Sequence, residues 1–181
     1  MIEEERTIHS ERIYEGAILN LRRDQVTVKG GRTSWREIVE HNGGVAIAAI
    51  TEAGKMVLVR QYRKTAEQAV LEMPAGKIEK GESAFQTAVR ELKEETGYTA
   101  EHMERLMAFY SSIGYSTEII HLYLATGLKP GEPLFDENED LEAVEYTLGE
   151  LLEMVGNGEI VDAKTIIAIQ ALILRDLGDG Q

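Results

Sequence analysis

Three glutamates near the middle of the chain have a spacing that suits metal chemistry. Glu91, Glu94 and Glu95 lie at positions i, i+3 and i+4, so on a helix their side chains share one face. They precede Gly97 in the last turns, where like charges repel and the helix dipole disfavours each anion by about 0.3–1 kcal/mol. A bound divalent cation would remove this penalty, and oxygen-only ligands favour Mg²⁺ or Mn²⁺ over zinc.

The plain alternative for such a triplet is a solvated acidic helix face. A longer pattern argues for a site. Gly76 is followed after five residues by Glu82, and seven residues further on come Arg90-Glu91-Leu92, then Glu94-Glu95 and Gly97. So many fixed residue types at fixed offsets are not expected by chance at average composition.

The elements that must position these residues follow from capping signals and apolar runs. Ser83 with Gln86 forms a capping-box pattern and Gly97 a C-terminal stop, which predicts a helix between them. The continuous apolar run Val45–Ile50 predicts a strand buried on both faces. Further strands are predicted at 56–59, 69–73, 104–111, 119–126 and 144–146, and further helices near 148–156 and 163–177. This order predicts an α+β sandwich.

The first 42 residues form a separate region in this interpretation. Short strand-like pieces at 18–21, 26–28 and 35–39, with a turn at Lys29-Gly30-Gly31-Arg32, predict a small antiparallel sheet. Such a sheet is too small to be stable alone and should pack on the main domain or on a second copy of the chain. We therefore predict an N-terminal subdomain at 1–42 and a main domain at 43–181.

The composition excludes several classes of function. The chain has 181 residues, 19 basic and 32 acidic side chains, a net charge of −13 and no cysteine. Disulfides, thiolate zinc sites and a cysteine nucleophile are therefore excluded. The acidity argues against nucleic acid and anionic membranes as partners. The first residues lack an apolar core, and no apolar run reaches the about 18 residues of a membrane helix. We expect a cytoplasmic protein.

The segment 76–98 resembles the Nudix box, GX₅EX₇REUXEEXGU, where U is aliphatic. Every fixed position is met, and the single departure is Tyr98 at the last U. The resemblance implies the Nudix fold, a mixed β-sheet sandwiched between helices. It also implies Mg²⁺-dependent hydrolysis of a nucleoside diphosphate linked to another group, with Mn²⁺ as an alternative ion.

Residue roles in the box follow from the same resemblance. It implies Glu91 and Glu95 as the main metal ligands, with the backbone carbonyl of Ala75 as a further ligand. Glu94 is a further ligand or a supporting carboxylate among the catalytic residues, and Arg90 orients the glutamates by ion pairing. Gly76 keeps the loop tight, and Glu82 is a candidate for supporting the metal ligands without binding the ion itself.

Features outside the box are similar to the ADP-ribose pyrophosphatase branch of the family. Members use the N-terminal sheet to form homodimers. Trp35 would stack on adenine, with packing at the dimer interface as its alternative role. Arg36 and Glu37 are candidates for polar contacts to the nucleotide. Arg63 would contact the phosphates, and its alternative role is a surface salt bridge.

Two loops carry the remaining candidates. In Asp136–Asp140 the resemblance implies a catalytic carboxylate and an extra metal ligand, which we assign to Glu137 as general base and Glu139 as ligand. The exchange of these roles and a merely solvated acidic loop are the alternatives. In the segment 111–118, Gly114 and Glu118 match the family pattern. Glu118 is a candidate for a hydrogen bond to the terminal ribose. Ile113 stands where ADP-ribose hydrolases usually carry proline.

The leading hypothesis is therefore Mg²⁺-dependent hydrolysis of ADP-ribose to AMP and ribose 5-phosphate by a homodimer. A broader specificity for nucleoside diphosphate sugars or dinucleotides is the alternative, because the proline is missing. A ligand-sensing Nudix module without catalysis is a remote alternative, since the box is intact and no basic recognition helix is visible.

Overall fold

The computed structural model describes residues 2–134 and 140–179. The chain forms two compact units, one combining the residues up to Gly43 with Phe109–Ile119 and the other combining Gly44–Ala108 with the chain from Ile120 onward. The strands in chain order are β1 (Thr7–Glu15), β2 (Asn20–Val28), β3 (Arg32–Glu40), β4 (Gly44–Ile50), β5 (Lys55–Arg63), β6 (Gln68–Glu72), β7 (Ala75–Lys77), β8 (Thr99–Tyr110), β9 (Ile119–Lys129) and β10 (Leu141–Thr147). The helices are α1 (Ala84–Thr96), α2 (Leu148–Gly156) and α3 (Ala163–Asp179).

A mixed sheet forms the centre of the second unit. Its strands run in the order β10-β5-β4-β9-β8, with β6 paired to β5 and β7 paired to β4. The β4–β9 pair is parallel, whereas β4 pairs antiparallel with β5 and β7. The apolar run of β4 is buried almost throughout, as predicted for a strand covered on both faces.

Helix α1 begins and ends where its capping residues predict. The Ser83 side chain accepts from the Gln86 N–H, and the Gln86 side chain accepts from the Ser83 N–H, which completes the capping box. Gly97 ends the helix with a left-handed backbone at φ 75°. Ala88 and Leu92 of this helix pack with Val45 and Ile47 of β4 in one apolar cluster. Glu91 and Glu95 each follow one of these two residues by three positions, so they border the packed face of α1.

The predicted C-terminal helices are also present. Helix α2 has the predicted capping box between Thr147 and Glu150, and α3 begins directly after Asp162. Leu151 of α2 and Ile169 of α3 are fully buried. No helix among the described residues has the length and apolar content needed to cross a membrane.

The first unit contains an antiparallel sheet in the order β1-β2-β3. Its strands β2 and β3 extend the predicted short pieces, and β1 was not predicted at all. Almost every residue of β1 is exposed, so the strand has no alternating apolar face by which a sequence could reveal it. Arg12 of β1 and Arg22 of β2 both pair with Glu40 of β3, which ties the three strands together.

The segment 111–118 is attached to the end of β3 within the same unit. The Val39 N–H donates to the Tyr115 carbonyl at 2.8 Å, and the Thr117 N–H donates to the Val39 carbonyl at 2.9 Å. The His41 N–H donates to the Thr117 hydroxyl at 3.0 Å. These bonds fix the backbone around Gly114 and Glu118.

Candidate active site

Arg90 holds together three carboxylates, one just before α1 and two on it. Its Nε and Nη2 atoms each lie 3.0 Å from an oxygen of Glu82, and its Nη1 donates to Glu91 at 2.8 Å and to Glu94 at 2.7 Å. Hydrogen bonds from Arg90 and from the Thr87 hydroxyl lower the pKa of Glu82 to about 2. The hydrogen bonds that Arg90 makes, that to Glu82 first, raise the pKa of Arg90. Glu82 and Arg90 are therefore both charged at neutral pH.

Ala75 and Gly76 of β7 lie directly against two carboxylates of the same helix. The Ala75 N–H donates to Oε2 of Glu95 at 2.9 Å, and Glu95 is buried. A Cβ added to Gly76 would lie 1.9 Å from the carboxyl carbon of Glu91, so the Glu91 carboxyl group occupies the space that a side chain would fill. Two carboxylates four residues apart therefore converge on one dipeptide.

The chain that follows β9 returns to the end of α1. At Gly97 an added Cβ would lie 2.3 Å from the carbonyl oxygen of Gly131, so this close approach requires glycine in addition to the left-handed backbone. The Leu134 N–H donates to the Glu94 carbonyl oxygen at 3.0 Å. Leu134, the last described residue before a gap, is thus placed beside the glutamates.

Glu137 and Glu139, the predicted base and extra ligand, lie outside the described residues. The chain resumes at Asp140, and Leu141 then pairs with Gln61 of β5. The described residues on the two sides of this gap therefore adjoin α1 and β5.

The donor chemistry of the site fits a hard divalent cation. Three carboxylates, those of Glu82, Glu91 and Glu94, share the Arg90 guanidinium, and the buried Glu95 adds a fourth. The partly buried face therefore has an excess of negative charge, which an ion with oxygen ligands would balance. Over 2–134 and 140–179, no group of three or more His, Cys, Asp or Glu side chains is already arranged as a metal site. The residues available to hold an ion are Glu91, Glu95 and the carbonyl of Ala75.

Tyr98, the departure from the box, is accommodated by two contacts. Its ring packs against the apolar cluster of α1 and β4, and its hydroxyl donates to Glu145 of β10 at 2.8 Å. That hydrogen bond raises the pKa of Tyr98. The position thus keeps the packing role of an aliphatic residue and adds a polar link to β10.

Arg63, predicted to contact phosphates, is paired with a buried carboxylate. Its Nε and Nη2 donate to Glu72 at 2.6 and 3.1 Å, and Glu72 is only 4% exposed. This hydrogen bond raises the pKa of Arg63, and the charge of Glu95 adds to the increase. The Arg63 guanidinium is therefore within electrostatic reach of a candidate metal ligand. Glu72 is not among the residues predicted for the site, although a glutamate that ends an apolar strand shortly before the box is a visible signal.

The predicted nucleotide contacts of the first unit lie on β3. Trp35 is 43% exposed, and the Arg23 guanidinium stacks 4.5 Å from its ring centroid. Glu37 is opposite Arg23 in the β2–β3 register. Arg36 pairs with Glu5 through two hydrogen bonds of 2.9 and 2.5 Å. Because strand side chains alternate, Trp35 and Glu37 share one face of the sheet and Arg36 lies on the other.

The Glu118 carboxylate lies beside the ring of His41. Its Oε1 is 3.2 Å from Nδ1 of His41, the nitrogen that accepts from the Gly43 N–H at 3.1 Å. Gly114 is in the adjoining turn, and a Cβ there would meet nothing within 4 Å, so no steric crowding demands glycine. Ile113 beside it is 76% exposed.

Two family models match the chain over most of its length. The Nudix domain model matches residues 40–167, and the model of the nucleoside diphosphate sugar hydrolase N-terminal domain matches residues 5–39. The chain belongs to the Nudix family. The prediction made from the box is thereby confirmed.

Several relatives of this Nudix protein match it almost end to end. It is 49% identical over 175 residues to a Bacillus methanolicus protein named methanol dehydrogenase activator, covering 96% of this chain and 95% of that one. It is 46% identical over 175 residues to the ADP-ribose pyrophosphatase of Bacillus subtilis, with the same coverage of 96% and 95%. It is 41% identical to the ADP-ribose pyrophosphatase of Mycobacterium tuberculosis, covering 92% of this chain and 82% of that one.

A solved structure supports the fold independently. The crystal structure of an ADP compounds hydrolase superimposes with a TM-score of 0.88 at 22% identity, covering 99% of this chain and 98% of that one. The predicted mixed sheet with helices and a small antiparallel sheet is confirmed.

Proposed function

We propose that this Nudix protein hydrolyses the diphosphate bond of ADP-ribose and releases AMP and ribose 5-phosphate. The observation that carries the proposal is the convergence of Glu91 and Glu95 on Ala75–Gly76. Relatives that are 46% and 41% identical and are named ADP-ribose pyrophosphatases support the choice of substrate.

The Nudix-box residues act together on a divalent cation, which we propose to be Mg²⁺. Glu91, Glu95 and the Ala75 carbonyl would hold it. When bound, the ion neutralises the charge of the diphosphate and lowers the pKa of the attacking water. Arg90 keeps the carboxylates of Glu91 and Glu94 in place by direct hydrogen bonds. Glu94 is the supporting carboxylate.

The proton of the attacking water goes to Glu137 in this proposal, and Glu139 supplies a further metal ligand. The positions of the two loop ends support this assignment, since Leu134 is bonded to Glu94 and Leu141 is paired with β5. Glu137→Gln with near-wild-type turnover would show that the base lies elsewhere.

The two parts of the substrate have separate sets of proposed contacts. Arg63 would bind the diphosphate with a guanidinium already oriented by Glu72. Trp35 would stack on the adenine, with Arg36 and Glu37 contacting the nucleotide. Gly114 and Glu118 would bind the terminal ribose.

A substrate panel tests the specificity directly. Purified protein with Mg²⁺ is given ADP-ribose, GDP-mannose, UDP-glucose or diadenosine polyphosphate in parallel, and kcat/KM is compared. We expect the highest value for ADP-ribose. A higher value for GDP-mannose would favour the broader specificity, which relatives 33% identical over 155 residues and named GDP-mannose pyrophosphatases support only weakly.

A second candidate function rests on the relative that is 49% identical, whose name states that it activates a methanol dehydrogenase. By that likeness, this chain would raise the rate of an alcohol dehydrogenase. The test adds wild type or Glu95→Gln to a purified methanol dehydrogenase and follows alcohol oxidation. No rate change with wild type would refute this function. Activation by wild type but not by Glu95→Gln would indicate that the activation depends on hydrolysis.

We propose that the protein is a cytoplasmic homodimer. Ile8, Ile13 and Tyr14 of β1 are each more than half exposed, and β1 is at the edge of its sheet. An edge strand with exposed apolar side chains is a surface that natural proteins usually cover. Light scattering should give twice the chain mass of 20.2 kDa, and Ile13→Lys should shift the mass toward the monomer. A monomeric wild type would contradict the proposal.

A further inference from the structure

Polar residues at the start of α3 reach the strand end that precedes the Nudix box. Thr165 is fully buried, and its hydroxyl accepts from the Met73 N–H at 2.9 Å. The same hydroxyl donates to Oδ2 of Asp162 at 2.6 Å. The hydroxyl therefore has a defined orientation, as donor to the start of its own helix and acceptor from the strand end.

Lys164 makes a second connection beside the first. Its ammonium group donates to the buried carboxylate of Glu72 and, at 2.9 Å, to Oδ1 of Asp162. Two consecutive residues of α3 thus hold two consecutive residues of the strand end, Glu72 through its side chain and Met73 through its backbone.

The next two residues of the strand end are held by other elements. The Pro74 carbonyl accepts from the Ile47 N–H of β4 at 2.8 Å, and the Ala75 N–H donates to Glu95 of α1 at 2.9 Å. Every residue from Glu72 to Ala75 therefore has a partner from another element. Met73 is the link through which α3 can affect the backbone at Ala75, two residues away.

We propose that Thr165 and Lys164 are positioning residues for the divalent cation. They would act by fixing the backbone that presents Ala75 to Glu95. This inference rests on the proposed metal-dependent hydrolysis. The Thr165 hydroxyl is not needed to cap α3, because Asp162 also accepts from the Thr165 N–H at 3.0 Å. The proposed positioning role is therefore distinct from helix capping.

The test replaces the hydroxyl without changing the shape of the side chain. Thr165→Val keeps the branched volume and leaves the Met73 N–H unsatisfied, whereas Thr165→Ser keeps the hydroxyl. Binding of Mn²⁺ to the full chain is measured by calorimetry without substrate. We expect Thr165→Val to weaken Mn²⁺ binding about tenfold, in the range seen when a residue behind a metal ligand is lost. Thr165→Ser should bind within about twofold of wild type.

The kinetic constants are a second measurement, because a loss of stability alone would not lower kcat in a variant that remains folded. At saturating Mg²⁺, Thr165→Val should lower kcat with KM for ADP-ribose unchanged. Ile169→Val, a buried truncation in the same helix, is the matched control for destabilisation and should bind Mn²⁺ like wild type. Unfolding temperatures in EDTA show that the compared variants are folded.

Lys164→Met is the second variant, and it tests the same inference if Thr165→Val does not fold. Arg63 remains as the partner of Glu72, so we expect a folded protein with severalfold weaker Mn²⁺ binding. Wild-type Mn²⁺ affinity in the folded variants, or equal weakening by Ile169→Val, would overturn the inference. A wild type that neither binds Mn²⁺ nor hydrolyses ADP-ribose would instead refute the proposed function.

Discussion

Gly76→Ala should remove catalysis while leaving the fold intact. The added Cβ would lie 1.9 Å from both the carboxyl carbon and Oε1 of Glu91, and 2.5 Å from Oε2. Ordinary contact begins at 3.4 Å, so the Glu91 carboxylate must move by about 1.5 Å. The group in the way is the end of a flexible side chain, and Gly76 itself is not in a left-handed conformation. The clash is therefore relieved by moving a candidate metal ligand.

The expected size of the effect follows from this displacement. A misplacement of about 1 Å at a reacting centre costs about a hundredfold in rate. We expect kcat/KM to fall by at least that factor, which is about 2.7 kcal/mol in activation free energy. The free energy of unfolding should change by less than about 1 kcal/mol, because alanine also restricts the unfolded chain.

The assay compares ADP-ribose hydrolysis with thermal unfolding on the same preparations. Gly156→Ala is the matched control, because a Cβ there meets nothing within 4 Å; it should behave like wild type in both. Full activity of Gly76→Ala would refute the role of Glu91. If Gly76→Ala loses activity only because it no longer folds, the clash is not relieved by moving the Glu91 side chain, and the reasoning is refuted.

Three further predictions concern the charged network and the nucleotide. Arg90→Lys should lower kcat about tenfold or more, because an ammonium cannot reproduce the bonds to three carboxylates; unchanged kcat would contradict this. Hydrogen bonds from Arg90 and Thr87 lower the pKa of Glu82 from 4.5 to about 2, so its stabilising contribution is complete above pH 4.5 and lost as the pH falls through about 2. The difference in Tm between wild type and Glu82→Gln should follow that course, and a constant difference down to pH 2 would count against it. Trp35→Ala should raise KM for ADP-ribose about fivefold to a hundredfold with little change in kcat, since base stacking contributes about 1–3 kcal/mol; unchanged KM would favour the packing role.

The sequence predicted the second unit well because its signals are local. The bounds of α1 follow from Ser83, Gln86 and Gly97, which act on their own backbone neighbours. The buried strand β4 follows from its continuous apolar run. Glu91 and Glu95 share a face by helical spacing alone, so the sequence could predict that they act together.

What the sequence missed depends on partners far apart in the chain. Strand β1 is exposed along its length and has no apolar pattern, so its pairing with β2 is visible only in the structure. Glu72 and Lys164 are 92 residues apart, and the bond from Met73 to Thr165 spans the same distance. The pairs of Arg63 with Glu72 and of Arg36 with Glu5 likewise required the folded chain.

The central claim is that Glu91 and Glu95 on the Ala75–Gly76 backbone form a metal-dependent hydrolytic site for ADP-ribose. The most direct measurement is chromatographic product analysis of ADP-ribose incubated with the protein and Mg²⁺, beside samples with EDTA and with Glu95→Gln. The account predicts equimolar AMP and ribose 5-phosphate from wild type, and almost none from the other two samples. Hydrolysis at the wild-type rate by folded Glu95→Gln, or no products from wild type, would contradict it.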